Sequence, residues 1–158
     1  MLKPSIGISA KNLKEVTEML SDVLADSMIL YIKTRKFHWN VSGENFMELH
    51  KLFESQYTQL EEAIDEIAER ISKLGSITIG TTAEFASKSS IKETPGKNPD
   101  AMGMIKELLA DHEKVVVALR KNIDDCDDKF KDKGTADFLT GLMEKHETIA
   151  WTLRRYIG

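Results

Sequence analysis

A chain of 158 residues, 41% apolar and 30% charged, is long enough to bury one substantial core and reads as a single domain over 1–158. The formal net charge of −4 carries no nucleic-acid signal, and a single cysteine, Cys126, excludes a disulfide framework within the chain. The opening MLKPSIGISAKN lacks an apolar signal core and a cleavage site, and no run approaches membrane-spanning length, so a reducing cytoplasm without a membrane partner is expected.

After a short tail over 1–8, the first helix should begin between Ser9 and Asn12 and run to about His38. Leu13, Val16, Leu20, Val23, Leu24, Ser27, Tyr31 and Thr34 form its stripe at spacings of three and four. A tight Asn/Ser/Gly break follows. The second helix, from about Glu44 to Leu74, carries Phe46, Leu49, Phe53, Leu60, Ile64, Ile67 and Ile71 on its apolar face. Beside that face runs a polar seam of His50, Glu54, Glu61, Asp65 and Glu69. Residues 75–98 form a crossover in which Thr82 can cap a short helix. Fully extended, this segment reaches about 80 Å, ample to pass a helix of roughly 45 Å and start the third helix parallel to the second. Asn98 is the expected N-cap of that helix, with Pro99 at its first position and Asp100 favourable to the dipole. Its stripe is Ile105, Leu109, His112, Val116, Leu119 and Ile123. A linker over 124–134 leads to Thr135, which can cap a fourth helix facing inward through Leu139, Leu142, His146, Ile149, Leu153 and Ile157. The fold class is all-α: a four-helix bundle with a short helix in the long crossover between helices two and three.

The spacing on the second helix points to metal. His50 and Glu54 are i,i+4, and Asp65 and Glu69 repeat the relation, so each pair stacks on one face. The fifteen steps from His50 to Asp65 leave a phase offset of about 60°, so all four share a broad face, but they separate the two pairs by about 22 Å along the axis. One chain therefore cannot close a single ion with them. The short connection brings His38 beside His50, which gives a His38/His50/Glu54 half-site and an Asp65/Glu69 half-site. A two-fold axis would join each half to the complement on a second chain, two sites per dimer.

The segment HWNVSGENFMELHKLFESQYTQLEEAIDEIAERI resembles the signature of the Dps family, the small ferritin-like proteins of starved bacteria, and the likeness extends over essentially the whole chain. The resemblance implies a ferritin-like bundle assembled as a dodecameric shell, with an iron-oxidising centre between two subunits. His38 and His50 from one chain and Asp65 and Glu69 from the other match the family's ligands. Glu54 stands where several members have Asp. Trp39 is the aromatic that, in the family, is thought to intercept radicals; read on its own it is an interface anchor. Asp128 and Asp137 match acids lining an iron-entry pore, and Lys133 falls where some members carry a third acid.

Two histidines with carboxylates and no thiolate suit Fe(II), Mn(II) or Zn(II), and zinc is expected to compete with iron. The implied reaction takes electrons from Fe(II) to hydrogen peroxide or oxygen, and ferric product mineralises inside the shell, protecting DNA. A di-iron site within each bundle would need Glu-x-x-His pairs, but Arg35, Met47, Leu109 and Met143 occupy the positions three before the four histidines. His112 and His146 read as core or interface residues. The alternative from another class is a DNA-packing, nucleoid-associated shell with little oxidase activity. Against it, the first twelve residues hold only Lys3 and Lys11, and the sequence closes on Arg154-Arg155-Tyr156-Ile157-Gly158 with no basic extension.

Overall fold

Four long helices and one short one carry the chain in the computed structural model, which describes residues 4–158; Lys3 of the expected tail lies outside them. They are α1 (Ala10–Asn40), α2 (Phe46–Lys73), α3 (Thr82–Lys88), α4 (Ala101–Asp124) and α5 (Lys133–Arg155). Among the described residues there is no strand, and no helix is long and apolar enough to cross a membrane.

Side-chain contacts between helices fix the topology. His38 meets His50 at one end of α1 and α2, and Ser76 just beyond α2 bonds Thr17 near the start of α1, so the two run antiparallel. Lys33 reaches Glu107 and Asp111 in the first half of α4, whereas Asn12 bonds the Phe130 carbonyl beyond its end. Thus α4 opposes α1 and parallels α2. Arg154–Glu113 and Arg120–Glu147 pairs make α5 antiparallel to α4. The crossover lies along α1 as the expected length allows. Lys88 pairs with Asp22, Ser89 and Ser90 bond Asp26, and the Lys92 and Lys97 carbonyls accept from Lys33 and Lys36. Phe85 and Ile91 are its buried anchors. Lys33 is itself buried, held by Asp111 at 2.7 Å and Glu107 at 3.2 Å, so its charge is paired where water cannot reach it.

The core lies along the stripes read from periodicity, with local corrections. In α4 the buried apolar positions are Met104, Ile105, Leu108, Val115 and Leu119; Leu109, Val116 and Ile123 are only half-buried. Adjacent residues both fall within a face more than 100° wide, and the packing of neighbouring helices decides which one is deepest. Phe46 and Ile157 are exposed because they sit at helix ends beyond the reach of neighbours. Thr17, Ser21, Ser27 and Thr34 enter the α1 stripe by returning their hydroxyls to carbonyls a turn earlier. His112 and His146 are buried as expected, and their Nδ1 atoms share a hydrogen bond of 2.9 Å.

Three helix starts differ from expectation. Ser9 caps α1, bonding Asn12 N–H, but Thr81 rather than Thr82 caps α3, Asp100 rather than Asn98 caps α4, and Asp132 rather than Thr135 caps α5. Each has a non-helical backbone and a side-chain oxygen within reach of the free N–H three residues on. The expected linker also differs: Asp125–Lys129 continues α4 as a wider π turn that buries Cys126. Lys131 then turns the chain at φ 57°. At α3, Thr81 and Glu84 form a reciprocal capping box. Thr81→Ala should cost about 1 kcal/mol locally. Amide exchange should quicken over residues 82–88 while the global melting temperature stays unchanged.

Candidate metal centre

His38 lies in the last turn of α1, so its carbonyl is one of the four that a helix leaves without an internal partner. His50 supplies the partner. Its Nδ1 donates to the His38 carbonyl at 2.8 Å, and His38 Nδ1 donates to the His50 carbonyl at 2.7 Å. A carbonyl can only accept, so both Nδ1 atoms carry a proton, and in that tautomer Nε2 is the nitrogen left for a metal. A bond from the other ring nitrogen to a backbone carbonyl is the one that metal-binding imidazoles commonly make. The rings stack with centroids 3.7 Å apart and 19° between planes. The short turn that permits this crossing needs Gly43, whose φ of 111° is open to glycine, and its carbonyl takes the Phe46 N–H at 3.1 Å. Phe46 lies beside His50 at 5.1 Å, and Tyr57 presents its ring to His38 at 5.2 Å and 78°.

The other candidates stand apart. Glu54 is one turn beyond His50 and exposed; Asp65 and Glu69 are exposed much further along α2. Lys73 pairs with Glu69 at 2.8 Å, and that hydrogen bond holds the Glu69 carboxyl below its usual range. Among the described residues of one chain, no three His, Cys, Asp or Glu side chains converge to hold an ion. The structure thus joins His38 to His50 and leaves Asp65 and Glu69 about 22 Å away by helical rise. Trp39 is 65% exposed and Met47 58%, with Ile32 and Phe46 also open at the histidine end of the helix pair. Two imidazole nitrogens and carboxylates, with no thiolate, make a donor set that fits a borderline or hard divalent ion.

Asp128 and Asp137 line one open cavity of roughly 400 Å³ with Asp124, Asp127 and Lys133, and Lys133 pairs with Asp127 at 3.4 Å. Sequence reasoning assigned nothing to Tyr57 or Arg35. Their signal was available only in part: Tyr57 follows His50 by seven residues on one helix, and Arg35 precedes His38 by three on the other.

Comparison with known proteins agrees with this architecture. Residues 17–158 match the ferritin family model, described as a ferritin-like domain. The chain is 46% identical over 157 residues to an uncharacterized low temperature-induced protein of Nostoc sp. strain PCC 7120, covering 99% of this chain and 88% of that one. It is 37% identical to DNA protection during starvation protein 2 of Bacillus anthracis, over 92% of this chain and 98% of the relative. The crystal structure of a Dps protein from Bacillus brevis superposes with a TM-score of 0.90 at 32% identity, covering 96% of this chain and all of the other. A bundle with one long crossover, the histidine pair at its first turn and these matches together assign the chain to the Dps family of ferritin-like proteins.

Proposed function

We propose that this protein is a mini-ferritin that oxidises Fe(II), with hydrogen peroxide as the oxidant, at a centre shared by two subunits. Ferric product is stored in a hollow shell of twelve copies, and the removal of both reagents protects DNA. The observation that carries this reading is the reciprocal pair of Nδ1 bonds, which fixes the two rings and leaves Nε2 of His38 and His50 for a metal, while the acids that would complete the set lie far off on an exposed face. A two-fold axis solves the separation. His38, His50 and Glu54 of one chain then meet Asp65 and Glu69 of its partner, and the exposed Trp39 and Met47 gain cover.

In this reading the imidazole Nε2 atoms and the carboxylates bind two Fe(II) substrates. Each iron gives one electron to the peroxide, whose O–O bond breaks to leave two hydroxides. Glu69 must exchange Lys73 for metal, which an exposed pair allows at little cost. Trp39 stands beside the centre as an interface anchor and as a sink for stray radicals. Asp128 and Asp137 line the route by which iron enters, and zinc competes for the same ligands.

The test is anaerobic Fe(II) oxidation with added peroxide, comparing the native protein with His50→Ala and Asp65→Ala. Each variant alone should lose fast oxidation. Dissociating, mixing equally and reassembling the two should restore about a quarter of the sites, because half the dimers are mixed and each of those rebuilds one intact centre. Rates equal to iron in buffer for the native protein would sink the proposal, and absence of recovery on mixing would sink the shared site.

A further inference from the structure

Arg35 is a cation held by aromatic rings. Its guanidinium lies 4.6 Å from the ring centre of Tyr57 and 5.5 Å from those of Tyr31 and Trp39. One terminal nitrogen donates to the Tyr31 hydroxyl at 2.5 Å. No carboxylate forms an ion pair with it among the described residues, and its Nε is buried without a hydrogen-bond partner. The side chain as a whole is only half-buried, so the cost falls on that one Nε donor, which the ring contacts cover without a hydrogen bond. The consequence lies in what Tyr57 touches. Tyr57 comes from α2, and its ring meets His38 of α1 edge to face, while Tyr31 packs on Tyr57 at 6.2 Å and 85°.

Resting on the metal-centre reading above, we infer that Arg35 is a positioning residue: through its stack on Tyr57 it holds the His38 ring, and thereby the stacked His38–His50 pair, in the orientation that binds metal. The Nδ1 bond to the His50 carbonyl alone leaves the His38 ring free to tilt about that bond. Tyr57 removes that freedom by contact. Tyr57 would itself be free to rotate were its face not covered by the planar guanidinium. Lysine cannot substitute, because a compact ammonium has no plane to lay on the ring and no fork to reach Tyr31. The Tyr57 hydroxyl takes no part in the contact with His38, so phenylalanine at that position should suffice.

The experiment titrates Co(II) into the assembled apoprotein and follows its visible absorption, with Zn(II) calorimetry alongside. Both read binding without the oxidation reaction. Arg35→Lys, Arg35→Met and Tyr57→Leu should each weaken Co(II) binding by about tenfold, the scale on which loosening a ligand's support acts. Tyr57→Phe should stay within about twofold of native. Tighter binding by Arg35→Met with native behaviour of Arg35→Lys would overturn the inference, since charge and not position would then be the role. Native affinity in all four variants would overturn it too. Dissociation of Arg35→Met in size-exclusion chromatography at matched concentration would also overturn it and make Arg35 an assembly residue. His50→Ala serves as the reference: if it leaves Co(II) binding unchanged, the metal-centre reading itself fails. If it abolishes binding while the Arg35 variants do not matter, only the positioning role falls.

Discussion

Asp132→Ala should destabilise the fold by about 3 kcal/mol, the scale of a lost helix cap together with a lost charge-assisted hydrogen bond. Asp132 is 3% exposed and makes every contact its two oxygens allow. Oδ1 accepts from the Thr135 N–H at 3.0 Å and from Arg70 at 3.1 Å, and Oδ2 accepts from the Thr135 hydroxyl at 2.5 Å. Arg70 Nε in turn donates to that hydroxyl at 3.0 Å, so the carboxylate caps α5, pairs a charge on α2 and orders the chain after the π turn. The loss of the cap alone would account for about 1 kcal/mol. The remainder comes from a guanidinium left without its partner in a half-buried place. Urea unfolding at pH 7 reads the difference as a lower midpoint at unchanged slope. Asp132→Asn keeps the cap acceptor but not the charge, and should fall between the two. If Asp132→Ala and native unfold at the same midpoint, the network does not hold the end of the bundle together.

The second large effect is with pH. His112 and His146 face each other across α4 and α5 with a single hydrogen bond between their Nδ1 atoms and no partner for either Nε2. Burial lowers the pKa of both: His112 goes well below its usual value, with His146 adding to the effect, and His146 falls to about 4, with Lys145 adding to the effect. Between pH 6.5 and 4 the unfolded chain takes up protons at these positions and the folded chain does not. Stability is therefore full above pH 6.5 and declines as pH falls toward 4. A drop from 6.5 to about 4 corresponds to about 3 kcal/mol per chain from His146, and His112 acts in the same direction. Ordinary carboxylates titrate in the lower part of this window, near pH 4, so the double histidine variant is what separates the two contributions. Replacing both histidines, His112→Leu with His146→Leu, should flatten the stability profile between pH 4 and 6.5. A single replacement should cost about 1–3 kcal/mol at pH 7, because it strands the surviving Nδ1 in the core. An unchanged acid slope in the double variant would rule the pair out as its source.

How much of this could be read before folding differs from element to element. The stripe Leu13–Val16–Leu20–Val23–Leu24 announces α1 because a 3.6-residue repeat is a property of the sequence itself, and all five are buried. The crossover was legible as a length, and the ladder of contacts from Asp22 through Asp26 to Lys33 and Lys36 shows the length being used. Caps were less legible. Asn98 and Asp100 are both good capping types, and the choice falls on whichever backbone turns extended just before the helix, which depends on where the incoming chain is anchored. The π turn at Asp125–Lys129 left no trace in the pattern, because its extra residue is accommodated by Cys126 finding a buried place.

The same division runs through the site. Phase and rise along α2 were enough to set His50 and Glu54 apart from Asp65 and Glu69, since both follow from helix geometry alone. The reciprocal bonds between each imidazole and the other's backbone carbonyl, and with them the tautomer of each ring, came only with the tertiary structure. So did the contact of Tyr57 with His38 and the stack of Arg35 on Tyr57, which join residues from different helices. The sequence by itself determined the helices, their apolar faces and the identity of the candidate ligands, because each depends on residues near one another in the chain. Which side chains touch, which protons they carry and which cap wins were decided by packing, because those depend on groups that meet only when the helices close on one another.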